Sequence, residues 1–356
     1  MPTPMRVAAG HAALVSGSSP TPRLARSSAV AIGNFDGVHL GHQRLFAEAV
    51  THARALGGES IVLTFDPHPA RLLSPRYAPP LIATRERKLE LIAEAGIDLC
   101  VVEPFDRALA SLSPREFIER IVVGALGAGH VCVGYDFTFG KDRGGSGALL
   151  RELGAALGFG VSVIEPVSEG GMVCSSTKVR EFVLEGRVEG AALLLGRDVE
   201  IDGDVVRGAG RGRTIGIPTA NLHPATELLP KGGVYAGWAE RRTPEGGQRW
   251  DAAINIGTNP TFSAPAANGG RAAPVTIEAH LIDFPGEPSG SLYGERLRLG
   301  IAARLRDELR FPSVDALIEQ IHQDIAAATD GGRARRGGGA PGNIHGTSAV
   351  PVSEVP

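Results

Sequence analysis

Two histidines three residues apart, His39 and His42, lie in the string Gly33 to His42, GNFDGVHLGH. Imidazoles at that spacing in a glycine-punctuated turn can grip the phosphates of a nucleotide, donating to phosphate oxygens without a fixed positive charge in the resting site. Upstream, Ser28 to Ile32 (SAVAI) is an apolar run of strand length. Downstream, Leu45, Phe46, Ala49, Val50, Ala53 and Leu56 recur at helical spacing. The string, with Gly33, Asn34 and Phe35 at its head, is therefore expected at the carboxyl end of a strand and the start of a helix. In an open α/β sheet that edge offers free backbone N–H groups and a helix dipole to an anion. Taken alone, a histidine pair beside glycines also reads as ordinary loop residues.

Three further segments in the first half could complete such a site. Thr64 to Pro69 (TFDPHP) follows the next apolar strand, and its prolines fix a backbone that can turn Asp66 and His68 inward; a plain turn is the other reading. Gly134 to Lys141 (GYDFTFGK) gathers an acid, aromatics and a cation. Phe137 and its neighbours could bracket a ring, and Asp136 could accept from a base or ribose or help hold a metal. Ser175 to Arg180 (SSTKVR) opens a helix, so Ser176 and Thr177 can cap it or meet phosphate while Arg180 forks onto phosphate oxygens; a capped helix with a surface arginine fits equally.

The second half carries a different pattern. Gly208 to Asn221 (GAGRGRTIGIPTAN) is rich in glycine and arginine, and Gly210, Gly212 and Gly216 let backbone N–H groups approach phosphate. It ends in Pro218, Thr219, Ala220 and Asn221, where a hydroxyl beside an amide can serve a magnesium ion. The GKS or GKT ending of a Walker loop is absent, and such a loop can also be merely flexible. Farther on, Glu278 lies between Ile277 and Ala279 in a strand-like run, so alternation aims it opposite its neighbours.

These segments need elements to position them. Five apolar strands (SAVAI, SIVLTF, DLCVV, HVCVGY, VSVIEPV) alternate with helix-period stretches from Ser28 to about Gly186, which predicts a parallel sheet covered by helices on both faces. Ser113-Pro114-Arg115-Glu116 reads as a helix start with a capping box. After about Arg187, short strand-like pieces broken by Gly, Pro and Asn predict a small antiparallel barrel or sandwich, closed by a helix from Val314 to Ala326. No internal repeat is evident. Residues 1–27 and 329–356, loose in composition, are expected to be a disordered arm and tail.

Composition narrows the functions. In 356 residues, 43% are hydrophobic and 21% charged, with a net charge of −3, so nothing marks a nucleic-acid or anionic-membrane binder. Phosphate recognition must be local. Cys100, Cys132 and Cys174 are widely spaced and lack a metal-binding pattern, which fits a reducing cytoplasm. No run approaches the ~18 apolar residues of a membrane span, and the first 27 residues lack the layout of a secretory signal.

Taken together, GNFDGVHLGH, FDPHP, GYDFTFGK and SSTKVR, in that order, resemble the adenylyltransferase half of the prokaryotic bifunctional riboflavin kinase/FAD synthetases, a branch of the HxGH nucleotidylyltransferases. RGRTIGIPTANL, GVYAG, NIGTNPTF and IEAHLIDF resemble their riboflavin kinase half. The resemblance implies an α/β, Rossmann-like adenylyltransferase domain at 28–186 and a β-barrel kinase domain with a C-terminal helix at 187–328. It implies riboflavin, FMN and ATP as substrates, with Mg²⁺ accompanying ATP. By the same resemblance, Gly33, Asn34, Phe35, His39, His42, Ser176, Thr177 and Arg180 serve ATP in the first domain, and Asp66, His68, Asp136 and Phe137 serve nucleotide or flavin. Glu278 is the kinase base, Gly210, Gly212, Gly216, Pro218, Thr219 and Asn221 hold ATP, and Thr219 with Asn221 holds the metal. Asn259 to Phe262 wall the nucleotide or flavin, and Arg306 and Phe311 gate the flavin. Ser146 departs from the family, where many members have an acid. That leaves a single-activity kinase as an alternative, beside a paralogue acting on a modified flavin and a catalytically silent flavin binder. Oligomeric state is not legible.

Overall fold

A computed structural model describes residues 4–15, 27–208, 210–243, 246–258, 275–286, 292–337 and 353–354. The chain packs as two units, the first running to Pro80 and resuming over Arg85–Ser175, the second taking Leu81–Thr84 and the chain from Ser176 onward, apart from the last residues.

The core of the first unit is a parallel sheet of β1 (Arg6–Ala8), β2 (Ser28–Ile32), β3 (Ser60–Asp66), β4 (Leu99–Pro104), β5 (Ala128–Gly134) and β6 (Gly160–Ile164). β2 is buried along its whole length, as continuous apolar runs between two helical layers require. Val30 and Ile32 join one apolar cluster with Ile61, Leu63, Val131 and Ile118, while Ala31 joins another with Val62, Cys100 and Phe46. Strand alternation thus divides the core between the two faces. The capping box forms as expected: Glu116 N–H donates to Ser113 Oγ at 3.3 Å, and Ser113 N–H donates to the Glu116 carboxylate at 2.8 Å.

The spatial order runs β1, β4, β3, β2, β5, β6. From β2 the chain winds one way through β3 and β4 and the other way through β5 and β6. The switch lies between β2 and β5, and ligands bind outside the carboxyl ends of strands at such a point. A two-stranded hairpin, β7 (Ser168–Glu169) and β8 (Met172–Val173), leads to the end of the unit.

Six strands close an antiparallel barrel in the second unit: β9 (Val199–Val206), β10 (Ala220–Pro224), β11 (Gly233–Thr243), β12 (Gly246–Thr258), β13 (Val275–Leu281) and β14 (Arg296–Arg306), with β9 pairing to β10 to shut the ring. Ile201, Leu222, Tyr235, Ile254, Ile277 and Leu299 are fully or almost fully buried. The C-terminal helix lies over β11 and β12, where Ala236 and Ala253 are small enough to receive Ile325 and Ala328.

Three expectations about the ends of the domains differ from the structure. Residues 1–27 are not wholly a loose arm, since Arg6–Ala8 forms β1 and pairs in parallel with β4. His11 then docks on the buried Glu103, its backbone N–H donating to the carboxylate at 2.7 Å and its ring lying 2.8 Å away. Likewise, the C-terminal helix spans Val314–Gly337 rather than stopping at Ala326, and β15 (Ser353–Glu354) pairs with β1, so the tail is partly ordered. Finally, the helix Ser176–Glu185 packs with the helix Val188–Leu195 in the second unit, so the division falls one helix before Arg187.

Candidate active sites

The GNFDGVHLGH turn leaves β2 through residues in the left-handed region: Phe35 (φ 51°), Gly37 (φ 79°) and Val38 (φ 42°). This folds the Phe35 ring back beneath Gly33, where an added Cβ would meet it at 2.8 Å, so only glycine fits there. Phe35 is 1% exposed, with its ring edge-on to Phe46 at 4.8 Å and to His42 at 5.2 Å. It packs against His42 rather than presenting a face to solvent. Asn34 is exposed, and its carbonyl accepts from Thr64 Oγ1 at 3.1 Å, joining the ends of β2 and β3.

His39 is the N-cap of the helix Leu40–Leu56, and His42 lies in the first turn. Their rings stack at 3.6 Å between centroids with planes 22° apart, and the Nδ1 atom of each is buried. Gly41 is the reason they can meet: a Cβ there would lie 3.1 Å from the His39 ring and 3.5 Å from the Cys174 carbonyl. Two imidazoles at a helix N-terminus beside the switch point offer donors of the kind that can receive a phosphate.

Around this turn, the outcomes are mixed. Asp66 is exposed and paired with Arg85 at 3.4 Å. His68 caps the helix Pro69–Leu73, its Nδ1 accepting from Ala70 N–H at 3.2 Å, so that nitrogen has an architectural use. Asp136 is exposed at the end of β5, whereas Phe137 is half-buried and stacks on Phe139, itself packed in the core with Phe117. Ser146 caps the helix Gly147–Leu157 by accepting from Leu149 N–H at 3.3 Å. Ser176, Thr177 and Arg180 occupy the opening turns of the helix Ser176–Glu185 in the second unit.

Lys88 escaped the sequence reading. It lies on the helix Arg85–Glu94 and donates to Thr64 Oγ1 at 3.2 Å, beneath the carboxyl ends of β2 and β3. Burial pushes its ammonium below the usual lysine range, while Cys100, Asp36 and Asp66 pull it back up. Asp36, within the histidine string itself, is 5% exposed. The available signal was a lysine three and four residues before Leu91 and Ile92, on the face that the helix buries.

In the barrel, Asn221 on β10 and Asn255 on β12 both stand directly opposite Glu278 on β13. Opposed residues share a face, so the three form a row across adjacent strands. Ile277, Ala279 and Leu281 are buried, which puts Glu278 and His280 on the outer side. Asn255 is the second residue missed, and its opposition to Glu278 depends on strand register. The glycine loop is cut close: a Cβ at Gly208 would lie 2.3 Å from the Asn221 amide, and one at Gly212 would lie 2.3 Å from Ile217 O and 3.4 Å from Thr219 Oγ1. Hydroxyl and amide oxygens in such a cradle suit a hard divalent cation. Gly210 and Gly216, at φ 69° and 76°, adopt the left-handed turn that glycine favours.

Arg306 is tied to Asp324 of the C-terminal helix through two nitrogens, at 3.0 and 2.7 Å, with Phe311 5.8 Å from its guanidinium. Asn259 to Phe262 lie outside the described residues.

Comparison with known proteins decides the family. Residues 21–178 match the family described as FAD synthetase, and residues 195–331 match that described as riboflavin kinase. A bifunctional riboflavin kinase/FMN adenylyltransferase of Pseudomonas fluorescens is 38% identical over 303 residues, 85% of this chain and 92% of that protein. The chain belongs to the bifunctional riboflavin kinase/FMN adenylyltransferase family. Members from Bacillus subtilis and Escherichia coli K12 are 36% and 35% identical, covering 83% and 84% of this chain and 90% and 91% of theirs. A solved structure described as a macrolide-efflux protein from Streptococcus pneumoniae superposes with a TM-score of 0.77 at 29% identity, covering 92% of this chain and 99% of that one. Among the described residues here, no helix is long and apolar enough to cross a membrane. Both enzyme domains of the family are thus present, and each carries the segments read from the sequence. ATP-dependent transfer in this family implies a divalent metal.

Proposed function

We propose that the chain phosphorylates riboflavin to FMN with one ATP and adenylylates FMN to FAD with a second. The observation that carries the reading is the presence of both chemistries' residues: the stacked His39 and His42 at a sheet switch point, and Glu278 opposite Asn221 beside the glycine loop.

In the kinase domain, Glu278 takes the proton of the riboflavin 5′-hydroxyl as that oxygen bonds to the γ-phosphorus of ATP and ADP leaves. Thr219 and Asn221 would hold the metal, for which we propose Mg²⁺. When bound, that ion neutralises charge on the phosphates. Gly210, Gly212 and Gly216 let the backbone approach ATP, and Arg306 with Phe311 borders the flavin.

In the adenylyltransferase domain, an FMN phosphate oxygen attacks the α-phosphorus of ATP and pyrophosphate leaves. A phosphate monoester is already anionic near neutrality, so the enzyme's task is placement and charge neutralisation. His39 and His42 hold ATP phosphates, and Ser176, Thr177 and Arg180, which the fold assigns to the second unit, are proposed by the family motif to serve ATP as well. Gly33 and Asn34 border the nucleotide, and Asp66, His68, Asp136 and Phe137 border nucleotide or flavin. A cytoplasmic setting suits enzymes that consume ATP.

Chromatography of the protein incubated with riboflavin, ATP and Mg²⁺ tests the proposal. FMN and FAD are expected, with no FMN from Glu278→Ala and FMN without FAD from His39→Ala/His42→Ala. FMN alone from the parent would leave a kinase with a silent first domain.

A further inference from the structure

His280 lies two residues beyond Glu278 on the same outer face of β13, and its Nδ1 is 2.9 Å from the carbonyl oxygen of Pro218. A carbonyl can only accept, so Nδ1 carries the proton and donates. Proline has no N–H, which makes that carbonyl the sole backbone hydrogen-bonding group of Pro218. The preceding loop is closed on itself, Ile217 N–H donating to Gly212 O at 2.8 Å and Gly216 N–H donating to Arg213 O at 3.2 Å. The loop therefore has an internal clasp and, at its last peptide before Thr219, a side-chain latch onto the strand that bears Glu278.

Fixing the Pro218 carbonyl fixes the plane of the Pro218–Thr219 peptide, and with it the direction in which Thr219 leaves the loop. We propose that His280 is a positioning residue of the kinase site, latching the Gly210–Thr219 loop to β13 so that Thr219 and Asn221 are held in register with Glu278. The inference rests on the kinase reading given above. It assigns His280 no contact with a reacting atom. Its effect falls on the ATP and metal side of the reaction rather than on riboflavin.

Two measurements on the full-length chain test this, using His280→Leu, which removes the donor, and His280→Asn, whose amide places an N–H near the position of Nδ1. Without nucleotide, amide hydrogen exchange of the 210–221 segment is expected to run about five-fold faster in His280→Leu, as loss of one net hydrogen bond implies, and near the parent rate in His280→Asn. In initial-rate assays of riboflavin consumption, His280→Leu should raise the half-saturating ATP and Mg²⁺ concentrations about five-fold, with the riboflavin KM little changed and His280→Asn restoring most of the difference. An unchanged riboflavin KM serves as the internal control for folding of the barrel. FMN formation by the parent, with loop exchange and half-saturation indifferent to residue 280, overturns the inference alone. A loss in His280→Leu that falls on riboflavin KM also overturns it. No FMN from the parent overturns the kinase reading and the inference with it.

Discussion

The rings of His39 and His42 stack at 3.6 Å, one at the N-cap and the other in the first turn of the same helix. Each restrains the other's orientation, so losing either should misplace both. Single substitutions His39→Asn and His42→Asn are each expected to lower FAD formation from FMN by roughly 10²–10³-fold, with the double variant scarcely worse than either. Steady-state rates on the three variants check this, and losses that multiply would show that the rings act independently.

Glu278 faces Asn221 on one neighbouring strand and Asn255 on the other. On the general-base role proposed for it, Glu278→Gln should cost about 10²–10⁴-fold in FMN formation while leaving FAD formation from added FMN intact. Asn255→Ala, which takes one polar neighbour from the row, should lower FMN formation by a smaller factor and spare the second reaction likewise. Product chromatography from riboflavin and from FMN separates the two reactions, and FMN formation by Glu278→Gln at the parent rate would remove Glu278 as the base.

The strands that carry the sites were legible because each is a continuous or alternating apolar run, and the histidine turn was legible because glycines fall where the backbone turns left-handed. β1 was not. Arg6–Ala8 is three residues between Pro4 and Gly10 with no periodicity of its own, and it becomes a strand by pairing with β4 and β15, both far off in the chain. The extension of the C-terminal helix was hidden by Gly331 and Gly332, which locally read as a helix stop. At Gly332 the glycine serves packing instead, because a Cβ there would lie 2.2 Å from Asp251 Oδ2. Asn255 and Lys88 share the same cause: their neighbours are set by register and helix packing, which no local string records.

Burial decides the chemistry of the cysteines. It pushes the Cys100 and Cys132 thiols up to about 12, against the opposing pull of Lys88 and Arg85 on Cys100. Cys174 is also buried and raised in the same direction, chiefly by desolvation. Since the thiolate is the reactive form, the native protein at about pH 8 should resist an aromatic disulfide reagent, and all three thiols should react once guanidinium unfolds it. Rapid stoichiometric labelling of the folded protein would contradict this.

His130 offers a pH test of stability. Its ring stacks on His52 at 3.5 Å, its Nε2 is 2.9 Å from Ser162 Oγ, and Glu48 lies 3.3 Å from His52. Desolvation first, and His52 second, lower the His130 pKa from 6.5, while Glu48 acts the other way. A folded-state value below the unfolded one means that the unfolded chain binds more protons in that window. The contribution to stability is complete above the unfolded value of 6.5 and is lost as pH falls through the folded one. Denaturant midpoints followed from about pH 7.5 to about pH 5 should therefore fall more steeply for the parent than for His130→Phe, which keeps a stacking ring without the proton. Parallel curves would remove His130 from the account.

Arg298 and Asp202 form an ion pair within the barrel, each 5% exposed, with Nε to Oδ1 at 2.7 Å and Nη2 to Oδ2 at 3.3 Å. Thr84 Oγ1 also donates to Oδ2 at 3.0 Å, tying the Leu81–Thr84 segment to β9. Removing only the cation leaves a buried carboxylate without its charge partner, so Arg298→Met should destabilise the chain by roughly 3–5 kcal/mol. The pair's own net worth is much smaller, because both charges are desolvated. Arg298→Met/Asp202→Leu, which replaces both charges with apolar side chains, should recover most of that loss even though Thr84 then lacks its acceptor. Chemical denaturation of the parent and the two variants measures both steps. A double variant no more stable than Arg298→Met would show that the carboxylate's other hydrogen bonds, rather than the unpaired charge, set the cost.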